Sequence, residues 1–161
     1  MFKNKIILIT GGTGSFGNSM LDRFLNYGVK EIRIFSRDEK KQDDLRKKYN
    51  NSKIKFYIGD VRDYQSVINC VRGCHFIFHA AALKQVPSCE FHPLQAIQTN
   101  ILGTNNVFNA SRQNNVKKTI LLSTDKAVYP INAMGMSKAL AEKLMISESK
   151  VEYNNVPLCA T

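Results

Sequence analysis

An apolar run from Lys5 to Thr10 leads directly into Gly11-Gly12-Thr13-Gly14-Ser15-Phe16-Gly17, and a helix-compatible stretch follows from Asn18 to Tyr27. No other stretch restricts the fold as much. A strand that is apolar at successive positions is buried on both faces, as in a parallel sheet. Glycines at 11, 14 and 17 then have separate tasks: a tight turn, close approach of backbone amides to a pyrophosphate, and close packing of helix on strand. The helix N-terminus adds the partial positive charge that holds phosphates. Strand, loop and helix in this order predict a dinucleotide-binding unit.

The rest of the chain repeats the alternation. Strands are expected near 5–10, 31–36, 54–59, 75–80 and 118–123, and helices near 16–27, 39–49, 64–71, 93–114 and 134–149. Strand and helix alternating at this spacing give βαβ units. The fold class is therefore α/β, a Rossmann-like doubly wound parallel sheet with helices on both faces. Gly28 is expected to end the first helix. With 161 residues, no repeat and no apolar run long enough to span a bilayer, residues 1–161 read as one domain. The closing VEYNNVPLCAT reads as a loop and the start of a sixth strand, cut short, which points to a fragment.

Charge and cysteines narrow the partners. The net charge of +10 invites an anionic partner. Much of it lies in Lys40, Lys41, Arg46, Lys47 and Lys48, interspersed with Asp43 and Asp44, the pattern of a solvated helix face. No basic patch is interleaved with aromatics, so nucleic acid is not expected. Cys70, Cys74, Cys89 and Cys159 form no CxxC pair; reduced thiols in a cytoplasmic protein without a metal are expected.

Two segments point to chemistry. The second strand ends in Ser36-Arg37, a hydroxyl and a guanidinium suited to a ribose 2′-phosphate, which favours NADP. Asp38 follows at once and keeps NAD open. Further along, the strand near 118–123 runs out into Ser123-Thr124-Asp125-Lys126, and a proline-bearing turn leads to a helix with Lys138 near its start. A carboxylate and a lysine at the C-terminal end of a sheet strand can serve as acid and base.

Taken together, Leu8 to Gly17, Gly59-Asp60-Val61, HAAALK at 79–84, Asn100 and the Ser123–Lys138 segment resemble the extended short-chain dehydrogenases/reductases. More narrowly, IFSRDEKKQDD, HAAALKQVPSCE and STDKAVYPINAMG resemble the C5-inverting, capsule-type UDP-N-acetylglucosamine 4,6-dehydratases, over essentially the whole chain. Members of that family continue past this length into a smaller sugar-binding domain.

The resemblance implies roles. Gly11, Thr13, Gly14, Ser15, Phe16 and Gly17 would hold the pyrophosphate, and Ser36 with Arg37 the adenosine ribose phosphate. Asp60 and Val61 would flank the adenine, while Ala80, Ala81 and Ala82 would line the nicotinamide half. Lys84 and Asn100 would lie near the cofactor, and Lys138 matches the lysine that binds the nicotinamide ribose. The wider family has its catalytic tyrosine where this chain has Met134, whose thioether cannot carry a proton. Lys126, or less directly Asp125 or Tyr129, would then act as base, beside Thr124. The implied reaction is NADP-dependent dehydration of a UDP-sugar for surface polysaccharide, by a homo-oligomer when full length, with the present piece inactive alone. Rival readings are a sugar-nucleotide epimerase or reductase, and a cofactor-binding module without catalysis.

Overall fold

Alternate residues of the first strand are buried on opposite sides, and this dictates the layers. In the computed structural model, which describes residues 1–150 and the backbone of 158–160, β1 (Ile6–Thr10) sits mid-sheet. Ile7 and Ile9 pack with Leu21 and Phe24 of α1 (Ser15–Leu25) and Leu45 of α2 (Glu39–Tyr49). Leu8 faces the other way, onto Val67 and Val71 of α3 (Tyr64–Val71) and Val107 and Ala110 of α6 (Gly103–Gln113). Helices therefore cover both faces, as continuous apolar strands require.

The remaining strands are β2 (Glu31–Ser36), β3 (Ile54–Ile58), β4 (Phe76–His79), β5 (Lys118–Leu121) and β6 (Leu158–Ala160). They form one parallel sheet in the order β3-β2-β1-β4-β5-β6. The order reverses between β1 and β4, and doubly wound sheets bind ligands in the crevice at such a point. Sequence and structure agree on the fold class.

Three local features depart from expectation. The first helix stops at Leu25; Asn26 and Tyr27 close it with amides donating to Arg23 and Phe24, and Gly28 only then turns to φ 64°. The helix expected over 93–114 is a composite. It starts as α5 (Pro93–Ala96), widens to a π-helical turn over Ile97–Leu102, and continues as α6. Before it lies α4 (Val86–Phe91), whose six residues with a proline in the first turn leave no readable period. After β5 the chain makes a 3₁₀ turn (Asp125–Ala127) and enters α7 (Ala133–Lys150).

Candidate active site and cofactor cleft

A cleft of about 340 Å³ opens at the C-terminal ends of β1 to β4. Its floor is the glycine loop. Gly11 has φ 65°, its amide donates to Phe35 O at 2.8 Å, and a Cβ there would meet Ala81 N at 2.8 Å. Gly14 is the N-cap of α1 and offers no side chain to the helix amides, which leaves them for an incoming anion. Thr13, Gly14, Ser15 and Phe16 line the cleft. Gly17 lies beneath it, where a Cβ would run into the backbone of Gly12.

The walls come from the next strand ends. Ser36 lines the cleft and accepts from Gln42 Nε2 at 3.0 Å, leaving its own hydroxyl proton to be donated. Gln42 also donates to Ser36 O and Tyr57 O, pinning β2 to β3. Arg37 stands over the cleft with Nη1 3.5 Å from Asp60, which is paired more closely with Arg62 at 2.6 Å. Burial works to raise the Asp60 pKa, but hydrogen bonds from Arg62 and the charge of Arg37 bring it below the usual range. Val61, Ala80, Ala81, Ala82 and Lys84 complete the predicted lining.

Other predicted residues lie behind the wall or beside it. Asn100 is buried; its Oδ1 accepts from Leu83 N–H at 2.8 Å, and its Nδ2 donates to Leu83 O and to Ser137 Oγ, each at 2.9 Å. It braces the 80–84 loop from behind the cleft wall and is not among the residues that line the cleft. Met134, placed by its sequence position among the catalytic residues, packs at 4 % exposure with Cys89 and Ala96. Its thioether belongs to a small apolar core. Lys138 is buried too, and its ammonium donates to Leu122 O next to the cleft. Desolvation lowers its pKa to about 8 against the opposing effect of Glu142.

Thr124, Asp125 and Lys126 occupy the turn just past β5. Thr124 Oγ1 donates to Asp125 Oδ1 at 2.9 Å, and Lys126 Nζ approaches the same oxygen at 3.4 Å. The Thr124 hydroxyl, and after it the Lys126 ammonium, hold the Asp125 carboxyl below its ordinary pKa. Side-chain exposures of 50 % for Lys126 and 85 % for Asp125 leave the pair open to a ligand. Gly135 sets its position, since a Cβ there would collide with Lys126 O.

Sequence reasoning read Asp38 only as the residue that keeps NAD open, and missed other participants. Asp38 caps α2 by accepting from Lys41 N at 2.9 Å and draws Lys41 Nζ to 3.2 Å, so both line the cleft. An Asp three residues before a Lys at a helix start carried that signal. Thr99 lines the cleft with a buried hydroxyl that has no partner among the described residues. It sits in the π-helical turn, a feature frequent at functional sites and invisible in the sequence. His79 was read only as part of HAAALK. It is fully buried, with Nδ1 2.6 Å from Thr10 Oγ1 and Nε2 3.0 Å from Thr104 Oγ1. Desolvation, then the Lys138 charge, lowers its pKa to about 3.

The chain matches the family model described as polysaccharide biosynthesis protein over residues 7–160. It is 60% identical over 166 aligned residues to a protein of Rickettsia rickettsii (strain Sheila Smith) named UDP-glucose 4-epimerase, covering 100% of this chain and 49% of that one. The chain thus spans about half the length of the curated relatives it matches. Among solved structures, Pen from Bacillus thuringiensis superposes with a TM-score of 0.97 at 37% identity, covering 99% of this chain and 50% of that one. The UDP-Glc/GlcNAc 4-epimerase of Campylobacter jejuni gives 0.85 at 26% identity, covering 97% and 52%.

Proposed function

The chain belongs to the polysaccharide biosynthesis protein family, among the extended short-chain dehydrogenases/reductases, and we propose that the whole protein is a sugar-nucleotide modifying enzyme. The specific reading is NADP-dependent 4,6-dehydration of UDP-N-acetylglucosamine with inversion at C5, in surface polysaccharide synthesis. The observation that carries it is the exposed Asp125–Lys126 pair on the turn after β5. Transfer of hydride at C4 alone needs no such pair, whereas eliminating water across C5 and C6 needs both a base and an acid.

The cleft suits a dinucleotide. The uncapped start of α1 and the Cβ-free approach at Gly11 favour a pyrophosphate, and Ser36 with Arg37 favours a 2′-phosphate over a bare ribose. When bound, the nicotinamide group supplies hydride acceptance and return. The residues of this chain supply the rest. Lys138, fixed to Leu122 O at the cleft wall, would offer a buried cation to the nicotinamide half. Lys126 takes the O4 proton, releases it to solvent, and then takes the C5 proton of the 4-keto sugar; a proton returns to C5 once hydride is back at C6. Asp125 protonates the departing 6-hydroxyl. That carboxyl is ionised in the open chain, and covering by the sugar raises a carboxyl pKa by desolvation, so it becomes an acid only in the closed site. The sugar-binding half is assigned to a part of the protein outside residues 1–161, in keeping with relatives about twice as long.

A second reading, 4-epimerisation, draws on the names of the relatives. It shares hydride transfer at C4 and the O4 proton transfer assigned to Lys126, and leaves Asp125 without a task. Mass spectrometry of the UDP-sugar after incubation with the full-length protein separates the two. Dehydration removes one water; epimerisation leaves the mass unchanged and would overturn the first reading.

A further inference from the structure

The sheet edge opposite the cleft has a chemistry of its own. Each of β1 to β5 is entered through a basic residue: Lys5, Lys30, Lys53, His75 and Lys117 in turn. Sheet order sets them side by side as Lys53, Lys30, Lys5, His75 and Lys117. Backbone bonds of 2.9 Å hold the row: Ile32 N–H to Lys53 O, Lys30 N–H to Lys5 O, His75 N–H to Ile6 O and Lys117 N–H to His75 O. At roughly 4.8 Å per strand the row is about 20 Å long.

The charge in this row is uncompensated. Lys3, Lys5, Lys30, Lys53 and Lys117 pair with no carboxylate among the described residues. Glu31, the acid within the row, is held by Arg33 at 2.6 Å. His75 registers the crowding, its pKa lowered by desolvation and then by Lys5, Lys117 and Lys30. Helix C-termini emerge on this side and favour cations, but they bring their own. Arg23 serves α1, Arg46, Lys47 and Lys48 serve α2, and Arg112 serves α6. Arg33 reaches the carbonyls of Cys70 and Arg72 at the end of α3. The lysine row exceeds that need.

Apolar side chains stand beside it. Met1 is 95% exposed and Tyr27 51% exposed, with the Tyr27 ring 6.0 Å from that of Phe2. We propose that this edge docks on an anionic lipid bilayer, with the cofactor cleft facing away from the membrane. Lysine heads lie at phosphate level while apolar tips enter the interface. A nucleic acid or an acidic polypeptide would use the charge and leave Met1 and Tyr27 without a role. The proposal is independent of the reaction catalysed.

The test is co-sedimentation of the full-length protein with vesicles of phosphatidylcholine, or of phosphatidylcholine and phosphatidylglycerol in equal parts. The expected result is binding to the mixed vesicles only, reversed by salt. The triple variant Lys30→Gln, Lys53→Gln, Lys117→Gln should bind about a hundredfold more weakly, with circular dichroism unchanged. If the triple variant fails to fold, each single variant is measured and should bind about fivefold more weakly. No binding to mixed vesicles, equal binding to neutral ones, undiminished binding of the folded variants, or binding of poly-glutamate or DNA in place of vesicles would each overturn the proposal.

Discussion

Asn100 holds both backbone groups of Leu83, accepting from its amide at 2.8 Å and donating to its carbonyl at 2.9 Å. One buried side chain thus fixes the loop that lines the cleft, and its further bond to Ser137 ties that loop to α7. Replacing Asn100 with alanine leaves a buried amide and carbonyl unpaired. The expected loss is roughly 3 kcal/mol in urea unfolding, together with weaker dinucleotide binding. Asn100→Asp keeps the acceptor but sets a buried carboxyl oxygen against Leu83 O, and should lose at least as much.

Gly135 lies inside α7, where alanine ordinarily improves a helix by about 1 kcal/mol. Here a Cβ would meet Lys126 O, so the turn carrying Asp125 and Lys126 must move. Gly135→Ala should reduce turnover of the full-length protein by an order of magnitude or more while the dinucleotide affinity holds. Turnover at the wild-type rate would show that the turn is not set by this contact.

The buried Lys138 has a folded pKa of about 8 against an ordinary 10.5. Between those values the unfolded chain binds more protons, so stability rises with pH across that window. The burden of the buried charge is full below about pH 8 and relieved above 10.5. Lys138→Met removes the effect. The unfolding free energy of wild type minus variant should grow by roughly 2–3 kcal/mol from pH 7 to 10.5, measured by urea titration at each pH.

A directed chain of hydrogen bonds fixes the His79 ring. Thr104 Oγ1 donates to Asn100 O at 2.6 Å, so it accepts from His79 Nε2–H. Nδ1 then accepts from Thr10, whose oxygen accepts from Ala81 N–H at 3.3 Å. Nitrogen NMR should report a neutral Nε2–H tautomer down to pH 5. With the folded pKa near 3, this site contributes stability that is lost as pH falls from about 6.5 toward 3. A protonated ring at pH 5 in folded protein would contradict the assignment.

The layers of the fold were legible because continuous apolar strands and the glycine spacing depend on local sequence. So were the cleft residues on the loops after β1 to β4, since strand ends in a doubly wound sheet converge. What lay outside the sequence depends on side-chain direction. Nothing in QTNIL announces a π-helical turn that buries Thr99 and Asn100. Nothing in the spacing of Met134 and Lys138 tells that one joins an apolar cluster while the other reaches back to Leu122. Lys41 looked like one more solvated lysine until Asp38 was seen to draw it to the cleft.

The central claim is best tested on the full-length protein with UDP-N-acetylglucosamine and NADP⁺ in D₂O, followed by proton NMR. The account predicts a new C6 methyl signal with deuterium at C5, and no deuterium incorporation in Lys126→Ala. Inversion at C4 with no deuterium at C5, or full C5 exchange in that variant, would contradict it.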